Sequence, residues 1–143
     1  TTITINPLPT PTLSAGATAI CAGTSVTFTA GAGAGPAIAN YDFRVNGVSM
    51  QTGGSNTYAS SGLANGDVVT VVATTGSVPA CSVTSPGITM TVNANPTPTL
   101  SAGASAICAG TSVTFTAGPG AGPAITNYDF RVNGSTVQNG LSN

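Results

Sequence analysis

The 143 residues include only five charged ones, Asp42, Asp67, Asp129, Arg44 and Arg131, and no Lys, Glu, His or Trp. Two arginines cannot neutralise a row of phosphates, which excludes nucleic-acid binding, and acid–base or covalent catalysis lacks the side chains it draws on, so the chain reads as no enzyme and as binding no cofactor. Apolar residues come in runs far shorter than the roughly 20 a spanning helix needs, and 24 Thr, 14 Ser and 11 Asn supply the polar surface.

In chain order, Thr1–Asn6 (TTITIN) is followed by a proline-alternating stretch, Pro7-Leu-Pro9-Thr-Pro11, which is extended and semi-rigid. Leu13 and Ile20 are core candidates. Ser25–Ala30 (SVTFTA) alternates with period two, which places Val26, Phe28 and Ala30 on one face of a strand. Gly31–Pro36 (GAGAGP) superficially resembles a phosphate-binding loop, but such a loop needs a helix N-terminus after it. This run leads through Pro into a strand and reads as a loop tip.

Tyr41–Val45 (YDFRV) turns Tyr41, Phe43 and Val45 inward and leaves Asp42 and Arg44 as a surface ion pair. Asn46–Gly47 then gives the strongest two-residue signal for a type I′ hairpin. Tyr58 and Leu63 are further core candidates, and Asp67 reads as a turn acceptor behind Asn65–Gly66. Val68–Ala73 (VVTVVA), with Val69 and Val71, is almost continuously apolar, which predicts a central strand buried on both faces. Ile88–Asn93 (ITMTVN) turns Ile88, Met90 and Val92 inward. With about seven short strands and no segment of helical period, the pattern predicts an all-β fold, an antiparallel β-sandwich of immunoglobulin type. Phe43 stands where an antibody domain has Trp.

The sequence also repeats. Thr12–Asn56 returns as Thr99–Asn143, 87 positions on, with 37 of 45 residues identical, and Asn46–Gly47 returns as Asn133–Gly134. The same shift places TTITIN on Ile88–Asn93. The chain therefore divides into residues 1–6, the last strand of a preceding repeat; 7–93, a complete repeat; and 94–143, the N-terminal part of the next, which reads as truncated.

Each full repeat carries two cysteines. Cys21 and Cys81 are expected to form an intra-unit disulfide, with Cys108, the copy of Cys21, pairing beyond the segment. A closed loop of about 60 residues contributes roughly 4 kcal/mol in the chain-entropy view. Free buried thiols are the alternative, and metal ligation finds no His and no CxxC spacing. Disulfide use would place the protein outside the cytosol.

The series PTPTLSAG, ICAGTSVTFTA and NYDFRVNG, closed by a late Cys, resembles tandem immunoglobulin-like and PKD-like repeats of very large secreted surface adhesins of Bacteroidota, including those of gliding bacteria. The resemblance implies export, surface display and a spacing or adhesive role, with no catalytic residue inherited. Neighbouring repeats are the implied partners, with other copies in a fibre or a surface or glycan target besides. Two other functions compete with this one. Thr-rich faces such as Thr27 with Thr29, or Thr89 with Thr91, could recognise polysaccharide or ice, and one chain's strand could complete another's sandwich in a filament.

Overall fold

The computed structural model describes residues 2–141. Thr1, at the head of the segment read as a preceding repeat's strand, and Ser142 and Asn143, at the end of the second repeat, lie outside the described residues. Fourteen strands and no helix form among those residues. The chain divides into two compact units, Thr1–Asn93 and Ala94–Asn143.

The first unit contains β1 (Thr12–Ala15), β2 (Ala19–Cys21), β3 (Val26–Gly31), β4 (Ile38–Val45), β5 (Val48–Gly53), β6 (Thr57–Ser60), β7 (Val68–Thr75), β8 (Ser82–Thr84), β9 (Ile88–Thr89) and β10 (Thr91–Asn93). One antiparallel sheet runs β1-β3-β6 and the other β5-β4-β7-β8, with β9 also on β7. β8 and β9 share that one edge because the ladder is interrupted at Pro86–Gly87. There the hydroxyl of Ser85 accepts from the Val71 amide at 3.1 Å, doing the work of a strand carbonyl.

Alternation puts Val26, Phe28, Tyr41, Phe43, Val69, Val71 and Met90 in the core, joined by Ile20, Tyr58 and Leu63, with Leu13, Val45, Ile88 and Val92 partly buried against them. Tyr58 closes the space between the sheets. Its ring lies 6.1 Å from that of Phe28, its cross-strand neighbour, and 5.7 Å from that of Phe43 on the opposite sheet. Asn46 and Gly47 take φ values of 52° and 82°, and Asn133 and Gly134 take 49° and 84°, the double positive that a type I′ hairpin requires.

Two expectations are corrected. β7 is central but not buried on both faces: Val69, Val71, Ala73 and Thr75 turn into the core, while Val68 is exposed and Val72 half-buried. A two-layer sandwich covers only one face of each sheet, so the apolar run exceeds what burial requires. Ile88–Asn93 is not one strand. β7 begins only at Val68, so the ladder with β9 reaches Thr89; Met90 bonds the preceding turn instead, donating to the Asp67 carbonyl at 2.8 Å and accepting from the Gly66 amide at 2.9 Å, and the continuation, β10, pairs in parallel with β2.

The second unit pairs β11 (Thr97–Ala102) with β12 (Phe115–Ala121), and β13 (Tyr128–Val132) with β14 (Ser135–Gly140). These repeat the pairings β1-β3 and β4-β5. Its residues include no copy of Tyr58, and Phe115, the copy of the fully buried Phe28, is 51% exposed. Identical sequence in different surroundings gives a direct measure of what closure contributes. Phe28→Ala is expected to lower unfolding free energy by about 3–5 kcal/mol, and Phe115→Ala by less than about 1 kcal/mol, in urea titrations followed by circular dichroism.

Candidate functional site at the poles of the unit

Lengthwise, the first unit has two poles, set by the ends of β7. At the Thr75 pole lie the incoming proline stretch and the glycine run. At the Val68 pole lie the Asn46–Gly47 hairpin, the Asn65–Asp67 turn and the departing Asn93.

The glycine run is not a free loop tip. It grips the incoming chain. Thr10 donates from its amide to the Ala34 carbonyl at 3.2 Å and from Oγ1 to the same carbonyl at 2.9 Å, while Oγ1 accepts from the Ala34 amide at 2.8 Å. Such close approach leaves no room for side chains: a Cβ on Gly33, whose φ is +64°, would stand 1.8 Å from the Thr10 carbonyl oxygen. The second unit repeats the arrangement between Thr97 and Ala121, at 2.8 and 3.0 Å, with Gly120 in the place of Gly33. Pro9 and Pro11 are buried, so the proline stretch is part of the body of the unit rather than a spacer outside it.

At the other pole, Asp67 ties two turns together. Its Oδ2 accepts from the Ala64 amide and its Oδ1 from the Asn46 side-chain amide, both at 2.8 Å, while Asn46 Oδ1 accepts from the Val68 amide at 3.0 Å. The Ala64 bond first, and the Asn46 bond next, hold this carboxyl below its ordinary value of 3.8. On β4, Arg44 Nε meets Asp42 Oδ2 at 2.7 Å, and Ser49 donates to the other carboxylate oxygen. Partial desolvation pushes Asp42 upward, but the Ser49 and Arg44 hydrogen bonds and the Arg44 charge outweigh it and leave the carboxyl lowered. Arg131 and Asp129 repeat the pair in the second unit.

The cysteines are placed differently from expectation. Cys21, Cys81 and Cys108 are free thiols, with Cys21 and Cys108 exposed and Cys81 half-buried. Cys81 sits at the Thr75 pole, where its carbonyl accepts from the Thr75 amide at 2.9 Å. Cys21 lies beyond the Val68 pole, paired with Asn93 at the end of β10. The eight residues of β7 separate them by about 23 Å, and a disulfide needs Cα atoms within about 7 Å. An intra-unit bridge is therefore ruled out by the direction of the strands.

Thr27 and Thr29 do face outward from β3, where Thr29 is flanked by Ser14 and Thr57. Thr89 and Thr91 fall on either side of the Met90 break and belong to different sheets. Among the described residues, no three His, Cys, Asp or Glu side chains come together as metal ligands. Sequence reasoning missed the Thr10–Ala34 grip, although its signal was present: a Thr in the proline stretch and a Gly-Ala-Gly run recur together in both repeats.

No family model and no curated relative matches the sequence. Among solved structures, the chain is similar to the fibronectin(III)-like modules of CbhA from Clostridium thermocellum, at 18% identity and a TM-score of 0.50, covering 91% of this chain and 74% of that one. The fold is an immunoglobulin-like β-sandwich. The sheet orders β1-β3-β6 and β5-β4-β7-β8 are the two layers of that sandwich.

Gly33→Ala is expected to break the grip, since its left-handed φ alone costs about 1–2 kcal/mol before the clash. Amide exchange at Thr10 and Ala34 should then accelerate at least tenfold, whereas Gly62→Ala, which enters open space, should leave both protected. Because folding lowers Asp67, its stabilisation is complete above the ordinary carboxylate value and disappears as pH falls through the lower folded value. Urea midpoints measured downward from about pH 6 should show this acid limb, and Asp67→Asn should flatten it.

Proposed function

We propose that these units are structural or adhesive repeats of a long extracellular cell-surface protein or filament, each acting as a non-catalytic spacer in a stalk. The observation that carries this reading is polar: the chain enters the first unit at the Thr75 pole, gripped at Thr10, and leaves at the opposite pole through Asn93. A module traversed from end to end adds length with every copy. The near-identity of the repeats, the short proline linkers and the near-neutral surface support the same reading. The resemblance to secreted surface adhesins of Bacteroidota supports an extracellular location. The partners are neighbouring repeats and, at the end of the stalk, a surface or glycan target.

Small-angle scattering on arrays of one to four whole units tests the reading. The spacer reading expects the maximum dimension to rise linearly, by at least about 25 Å per unit, at constant cross-section and at the monomer mass. Compact particles would sink it.

A further inference from the structure

Each complete unit carries two thiols at opposite poles, and neither finds a partner inside the unit. The repeat shift relates them. Asn6 is the copy of Asn93. In the first unit Asn93 is the in-register parallel neighbour of Cys21, and its carbonyl accepts from the Ala22 amide at 2.9 Å. In-register neighbours of a ladder project to the same face. Because Ile20 and Val92 turn towards the core, Cys21 and Asn93 both project away from it.

Asn6 reveals what lies on that side at the head of a unit. Its Nδ2 donates to the Pro79 carbonyl at 3.1 Å, and Cys81 Sγ lies 4.0 Å from the same oxygen. The asparagine that closes one unit's last strand is thus the ladder neighbour of that unit's Cys21-type residue and hydrogen-bonds the Pro79 carbonyl on which the next unit's Cys81 thiol also sits. One asparagine and one carbonyl lie between thiols that β7 holds apart within each unit.

We propose that the Cys21-type thiol of each unit forms a disulfide with the Cys81-type thiol of the unit that follows it, a covalent staple across every junction. The inference rests on the head-to-tail reading of the repeats. The oxidant is a small-molecule disulfide such as oxidised glutathione. One protein thiolate attacks it, forming a mixed disulfide and releasing one reduced thiol. The second protein thiolate then displaces the other, so that one S–S bond joins the units, two protons leave the cysteines and two electrons reside in two reduced small thiols. Cys21 is exposed and Cys81 half-buried, which leaves both within reach of such an oxidant.

The test extends the 143-residue chain with a further copy of Thr57–Asn93, which completes its second unit and supplies one whole junction. After equilibration with oxidised glutathione, two of its four thiols should be lost to maleimide. Mass spectrometry of the unreduced digest should join Cys21 to the appended copy of Cys81. Cys21→Ser should abolish the bond, and Cys108→Ser should leave it intact. The unextended chain, which has no complete junction, should keep all three thiols. A second form, Thr1–Asn93 followed by another Pro7–Asn93, presents the same junction between two copies of the self-contained first unit. A bond between Cys21 and Cys81 of one unit, or free junction thiols in either form while circular dichroism reports both units folded, would overturn the proposal. Free thiols in particles that scattering finds elongated would overturn the staple alone, whereas compact particles would overturn the spacer reading beneath it.

Discussion

The sandwich depends on Tyr58. Among the described residues its ring is the one aromatic surface that touches both Phe28 in one sheet and Phe43 in the other, and it arrives on β6, after the strands that carry both. Until β6 pairs with β3, the hairpin of β4 and β5 has little to pack against. Pairing of β4 with β5 is local, set by the Asn46–Gly47 turn, while closure of the core is non-local and joins residues from Ile20 to Met90.

This difference also explains how much the sequence disclosed. Period-two alternation located β3, β4 and β9–β10, and Asn46–Gly47 located the hairpin, because each of those signals is written within a few neighbouring residues. The core list followed from the same faces. What alternation does not contain is the end of a strand's partner. The break at Met90 arises because β7 begins only at Val68, after the Asn65–Asp67 turn and more than twenty residues earlier in the chain, and nothing in ITMTVN marks it. The cysteine pairing failed for a related reason: two cysteines per repeat state a number, whereas their separation along β7 is a property of the assembled sheet.

The glycine run shows a local signal misread for want of its neighbour. Alone, GAGAGP has the composition of a loop tip. Beside Thr10 it becomes a surface that lacks Cβ atoms at Gly33 and Gly35, where the incoming backbone lies against it. The consequence is local: three hydrogen bonds and the burial of Pro9 and Pro11 fix the incoming stretch to the body of the first unit.

The same economy accounts for the composition. At six places in the first unit a neutral side chain takes over a backbone group: Thr10 at Ala34, Asn56 at the Ala30 carbonyl, Ser85 at the Val71 amide, Thr75 at the Cys81 amide, Asn65 at the Val92 amide and Asn46 at the Val68 amide. Short strands have many ends, and each end leaves donors and acceptors that need partners. Hydroxyls and amides meet that need without charge, so a polypeptide that copies the unit many times accumulates almost none.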